Sequence, residues 1–131
     1  MYSEKVLDRF TNPRNSGQIK SADGVGEVGN PACGDIMKVY LKVEDETIVD
    51  AKFKTFGCAA AISSSDVAMD LIKGKTIDEA LSVTNKDVLN ELGELPPVKI
   101  HCSVLAQEAI QSAVEDYRKK QIKKALKEMK D

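Results

Sequence analysis

Cys33 in Pro-Ala-Cys-Gly-Asp, Cys58 in Phe-Gly-Cys-Ala-Ala and the adjacent pair His101-Cys102 are the residues of this chain best suited to chemistry. They comprise its three cysteines and its one histidine, and Asp35 follows the first cysteine by two positions. Thiolate, imidazole and carboxylate are all metal donors, so four or five of them in a 131-residue chain point to a metal or iron–sulfur site. Glycine beside Cys33 lets backbone approach a bound cluster closely. Cys58 precedes a helical pattern, where the helix dipole and free N–H groups lower a thiol's pKa below its usual value of about 8.5. His101-Cys102 opens the last helical pattern. Three element termini converging at one end of a sheet would assemble the site. The sequence separations of 25 and 44 residues between the cysteines do not by themselves establish that convergence.

Taken singly, each residue has a plainer reading. A lone cysteine is as often an inert small hydrophobe as a ligand. Asp35 alone reads as a turn residue, and His101 alone as a helix-start residue. A thiol beside a histidine also suits a cysteine nucleophile, but no oxyanion hole or substrate pocket can be argued from the sequence.

The elements that must position these residues follow from periodicity. Val6, Leu7 and Phe10 have helical spacing, with Ser3 as cap, and Asn12-Pro13-Arg14-Asn15-Ser16-Gly17 ends that helix. Five of the eight glycines fall between positions 17 and 34, which predicts a loop with an edge strand near Gly26–Asn30. Met37, Val39, Leu41 and Val43 alternate with polar residues, as do Val49, Ala51 and Phe53, and Glu44-Asp45-Glu46-Thr47 is a polar turn between them. This period of two predicts an antiparallel hairpin with one apolar face. Helices should cover it: residues 58–73, ended by Gly74; 76–82 and 84–92, capped by Thr76 and Thr84; and a long one from His101. The long helix carries Leu105, Ala109, Ile110, Ala113, Val114 and Tyr117, and after a phase slip Ile122, Ala125, Leu126 and Met129. Leu95-Pro96-Pro97-Val98-Lys99 must be extended, since proline restricts itself and its predecessor. The expected fold class is α+β: a small antiparallel sheet of about three strands, helices packed on one face, and a long C-terminal helix.

Length predicts one domain, residues 1–131, with a basic helical tail at 118–131. Tyr117–Asp131 holds seven Lys/Arg against two acids, whereas the rest holds twelve against nineteen, or −7. The overall charge of −2 gives no case for nucleic acid, and only Tyr117 interleaves the basic run. The tail reads first as a solvated helix end and second as a docking surface for an acidic partner. No apolar run approaches a membrane span and no signal peptide precedes Tyr2-Ser3-Glu4-Lys5, so the expectation is a cytoplasmic protein without a membrane partner. There, three cysteines favour metal binding over disulfides.

Four segments in order, Tyr2-Ser3…Asn12-Pro13-Arg14-Asn15, Gly29–Asp35, Phe56–Ala61 and Leu95–Ser103, resemble the IscU/NifU-type iron–sulfur scaffold proteins in their stand-alone form. The resemblance covers about residues 2–118. It implies a non-enzymatic carrier on which a cluster is built from iron and desulfurase-derived sulfur and passed to apoproteins. By motif, Cys33, Cys58 and Cys102 match the family's ligand cysteines, Asp35 its aspartate and His101 its histidine. The implied cargo is a [2Fe–2S] cluster, with [4Fe–4S] as the alternative. The implied partners are a cysteine desulfurase and recipient apoproteins; an Hsp70/J-protein pair, a frataxin-like protein, a ferredoxin and a cluster-bridged homodimer extend that set.

Cys102, beside His101 and close to Lys99, is the first choice of persulfide acceptor, with Cys33 and Cys58 as alternatives. Leu95, Pro96, Pro97, Val98 and Lys99 match the family's chaperone-recognition segment; the plainer reading is a rigid spacer. The same ligand set suits tetrahedral zinc in the apo form. The rival reading is therefore a zinc-containing sulfur acceptor of a desulfurase. The resemblance implies that this branch lacks the histidine and has an insertion between the second and third cysteine motifs. His101 and the short Cys58–Cys102 interval favour the scaffold.

Overall fold

A computed structural model describes residues 3–30, 35–56, 59–93 and 101–130. The elements are α1 (Glu4–Thr11), β1 (Gly24–Asn30), β2 (Asp35–Glu44), β3 (Thr47–Phe56), α2 (Ala59–Ile72), α3 (Ile77–Leu81), α4 (Asn85–Leu92) and α5 (His101–Lys130). The three strands form an antiparallel meander in the order β1-β2-β3. Ser16 adds an isolated parallel bridge to Phe53, so the segment after α1 lies along the outer edge of β3. The expected edge strand is present and begins earlier, at Gly24.

Asp45 and Glu46 make the hairpin turn with φ of 50° and 63°. Two consecutive left-handed residues suit the twist of a two-residue hairpin, though glycine or asparagine would adopt them at less cost. Tertiary contacts hold Glu46 there: its carbonyl accepts from the Ile77 N–H at 3.0 Å, and its carboxylate accepts from the Tyr117 hydroxyl at 2.9 Å. Burial first, and then that bond, push the Tyr117 phenol up to about 12.

β3 departs from simple alternation. Ala51 and Phe53 face the core as the period predicts, but Val49 is 47% exposed and Ile48 is fully buried instead. The cause is a bulge: Lys42 pairs with Asp50 while Val43 pairs with Ile48, leaving Val49 as the extra residue. One extra residue flips the facing of everything beyond it.

α2 and α5 cover the apolar sheet face, burying Met37, Val39, Leu41, Phe53, Met69 and Ile72 with Leu105, Ala109, Ala113 and Val114. Each large aliphatic side chain removed from water there contributes roughly 1.5–3 kcal/mol. α5 sits directly on the backbone of β1. A Cβ on Gly26 would fall within 3.0 Å of the Ala109 and Ala113 backbone, and one on Gly24 within 3.0 Å of the Ala113 carbonyl. Small residues on both elements thus allow the close approach, and Asp116 fastens it by accepting from the Val25 N–H at 2.8 Å.

Two apolar stripes are not covered as the spacing predicts. On α1 only Val6 is buried, and Leu7 and Phe10 are exposed. On α5 burial stops at Tyr117, and Ile122, Leu126 and Met129 stand in solvent on the part of the helix beyond it, on a different face from the buried stripe.

Candidate functional site

Sheet register fixes where the cysteine-bearing connections attach. Asn30 pairs with Asp35, and Ile36 pairs with Phe56. The chain therefore leaves β1, enters β2 and leaves β3 at one end of the sheet. The Thr55 hydroxyl donates to the Ile36 carbonyl at 2.7 Å and ties that end together. In sequence, Cys33 lies between Asn30 and Asp35, and Cys58 between Phe56 and Ala59.

α5 returns to the same end. Gly24 faces Ala113 and Tyr117, and Gly26 faces Ala109 through Ala113, so α5 runs antiparallel to β1. From Gly26 to Asn30 the strand advances about 13 Å at ~3.3 Å per residue. A helix rising ~1.5 Å per residue covers that in about nine residues, which leads from the Ala109–Ser112 turn back to His101 and Cys102. His101 and Cys102 are the first residues of α5, where the helical pattern predicts its start, and Asp35 is the first residue of β2 rather than a loop residue ahead of it. Cys33, Cys58 and Leu95–Lys99 lie outside the described residues. Among the described residues no three His, Cys, Asp or Glu side chains are grouped to hold a metal.

Helix starts differ with location. α1, α3 and α4 begin with hydroxyl caps from Ser3, Thr76 and Thr84, and each has an acidic residue in its first turn: Glu4, Asp78 with Glu79, and Asp87. Thr76–Glu79 and Thr84–Asp87 form capping boxes. α2 and α5, which begin beside Cys58 and at His101-Cys102, have no acidic residue in the first turn. Their partial positive charge is left available to an anion at the helix start. A thiolate is such an anion.

A polar cluster that pattern reading missed positions α2. Asp66 is fully buried. Its Oδ1 accepts from the backbone N–H groups of Arg14 (2.9 Å) and Asn15 (2.7 Å), and its Oδ2 from Arg9 Nη1 (2.8 Å). Asn15 Nδ2 donates to the Asp66 carbonyl (2.9 Å) and to Asp70 Oδ1 (3.0 Å), and Lys73 donates to Asn15 Oδ1. Burial alone would raise the Asp70 pKa, but hydrogen bonds from Arg9 and Asn15 and the charges of Arg9 and Lys73 hold it below its usual value. Backbone bonds between Asn15 or Gly17 and Phe53 extend the clamp to β3, three residues from its end. The Asn12-Pro13-Arg14-Asn15 segment thus fastens α2 to β3 on either side of the Cys58 connection. The available signal was a single aspartate among the small residues Ser63-Ser64-Ser65 and Val67-Ala68.

Residues 1–124 match the NifU-like N terminal domain family. The chain is 58% identical over 120 residues to iron-sulfur cluster assembly scaffold protein IscU 1 of Archaeoglobus fulgidus, covering 92% of this chain and 78% of that one. It is 54% identical over 123 residues to the IscU scaffold protein of Escherichia coli K12, covering 91% and 95%. Among solved structures it resembles a scaffold protein for the SUF system from Fervidobacterium islandicum AW-1, with a TM-score of 0.73, 28% identity and 86% and 96% coverage. The fold is also that of a NifU-like N-terminal protein from Brucella abortus, with a TM-score of 0.74, 21% identity and 90% and 94% coverage.

Proposed function

Because this chain belongs to the NifU-like N-terminal domain family, we propose that it is a scaffold on which an iron–sulfur cluster is assembled and from which it is handed to apoproteins. The observation that carries this reading is the common end of the sheet at which β1, β2, β3 and α5 have their termini, next in sequence to every cysteine. The IscU relatives, more than half identical across nine-tenths of the chain, support it over the zinc-containing sulfur acceptor.

In this reading Cys33, Cys58 and Cys102 supply three thiolates, and Asp35 or His101 completes the set for a [2Fe–2S] cargo. Cluster iron prefers thiolate, and durable sites use four cysteines. A harder carboxylate or an imidazole in the fourth place weakens the hold, and a scaffold must release what it builds. Sulfur arrives as persulfide from a cysteine desulfurase. Cys102 is the receiving thiol, since it opens a helix whose first turn holds no acid and follows His101 directly. The chain is a carrier and turns over no substrate of its own. The apo site accommodates zinc, and Leu95–Lys99 recruits a chaperone.

Asp35→Ala tests the fourth-ligand argument. After anaerobic loading, the variant is expected to keep its visible chromophore longer than wild type and to transfer cluster to an apo-ferredoxin more slowly. Equal lifetimes and equal transfer rates would remove Asp35 from the ligand set.

A further inference from the structure

Beyond Tyr117, α5 projects from the body, and every residue from Arg118 to Met129 is exposed. This projection has two faces. Ile122, Ala125, Leu126 and Met129 recur at helical spacing, and Ile122, Leu126 and Met129 are 61%, 53% and 82% exposed. Lys119 and Lys123 flank this stripe, and Lys120, Lys124 and Lys127 lie behind it. At 3.6 residues per turn, the exposed stripe is turned about 150° from the buried stripe of the same helix. Extending the sheet would therefore not cover it, whereas a second molecule would.

The complementary surface is on the body. Leu71, Val83, Glu79, Asp87, Glu91 and Lys75 line a groove of about 380 Å³ among α2, α3 and α4. Its apolar lining is the half-buried Leu71 and the buried Val83, edged by the carboxylates of Glu91 and of the capping acids Glu79 and Asp87 against the ammonium of Lys75. The tail carries seven basic residues against two acidic ones, and the remainder of the chain is at −7. Arg118 Nη2 meets Asp78 Oδ1 at 2.9 Å, so the projection leaves its own body beside α3, next to the groove. A two-fold axis near α3 would carry each tail to the other copy's groove, closing a self-complementary pair.

We propose that two copies of this chain associate reciprocally, the basic amphipathic end of α5 in each lying in the acid-rimmed α2–α3–α4 groove of the other. The pairing needs neither cluster nor cysteine, so it stands apart from the scaffold reading. Apolar contact supplies affinity, and the opposite charges supply register and a dependence on salt.

The test is sedimentation velocity on the full apo-protein, with chelator and reductant to remove cluster-bridged and disulfide dimers. A dimer in the micromolar range at low salt that dissociates at about 0.5 M salt is expected. Ile122→Ser with Leu126→Ser should weaken it by at least about a hundred-fold. Both residues are exposed, so the fold should persist, as circular dichroism will check. Glu91→Lys alone and Lys119→Glu alone, the latter on the flank of the stripe, should each weaken self-association. An equimolar mixture should recover dimer, because one junction of the mixed pair is native and the other has its charges exchanged. A monomer throughout, including one that binds anionic vesicles through its tail, overturns the proposal. So does a dimer indifferent to all these substitutions.

Discussion

The helix starts of this molecule fall into two groups, and the division follows position rather than length. α1, α3 and α4 answer their exposed N–H groups with hydroxyl caps and first-turn carboxylates. α2 and α5, whose starts adjoin Cys58 and carry Cys102, have no such carboxylate. First-turn acids are stabilising, so leaving them out has a cost. Away from the cysteines the chain neutralises the helix end; where a helix begins beside a cysteine, no first-turn acid neutralises it. The stability forgone at the start of α2 is offset lower on the same helix, where Asp66, Asn15, Arg9 and Asp70 clamp it to the segment after α1.

This contrast can be broken from either side. The largest expected effect is on the clamp. Asp66→Ala takes one of its two carboxylate partners from the half-buried Arg9 guanidinium and leaves the Arg14 and Asn15 backbone N–H groups without their acceptor, and should cost about 2–4 kcal/mol in urea unfolding. Alkylation rates of the cysteines in the fraction that remains folded should stay at the wild-type value.

Next comes the seat of α5. Gly26→Ala forces the strand and helix backbones apart and should cost about 1–3 kcal/mol. Because it also displaces the start of α5, iron bound per chain after reconstitution should fall with stability. A variant of full stability and full loading would mean that α5 does not depend on this contact for its place.

The smallest effects separate the two kinds of helix start directly. Ala59→Glu puts a carboxylate into the first turn of α2, and should slow alkylation of Cys58 at neutral pH by about two- to five-fold with little change in stability. Thr84→Ala, at a start that no cysteine adjoins in sequence, should cost about 1 kcal/mol and leave alkylation unchanged. Equal responses from the two starts would erase the distinction.

Much of this architecture is legible in the sequence because local rules govern it. Ser3, Thr76 and Thr84 cap as their types predict, β2 follows its alternation, and Gly74 ends α2 with φ of 83°. The five candidate donors were legible as motifs, and the register places their flanking termini together. What escaped depends on partners distant in sequence. The bulge at Val49 reflects a count of paired residues across two strands. Gly24 reads as a loop residue and Gly26 as the start of an edge strand, and the need for glycine at both shows only when α5 is seen lying on their backbone. Asp66 reads as an ordinary helix aspartate because its donors come from residues more than fifty positions away. Ile122, Leu126 and Met129 show the converse: periodicity forms the helix, but burial needs a surface to meet.

The most direct test is anaerobic incubation of the wild-type chain with ferrous iron, cysteine and a cysteine desulfurase, followed by visible absorption and by iron, sulfide and zinc content. The scaffold reading predicts a chromophore with iron and sulfide in equal amounts, lost in Cys33→Ser, Cys58→Ser and Cys102→Ser. Sulfur uptake with retained zinc and no chromophore would contradict it and identify a zinc-dependent sulfur acceptor.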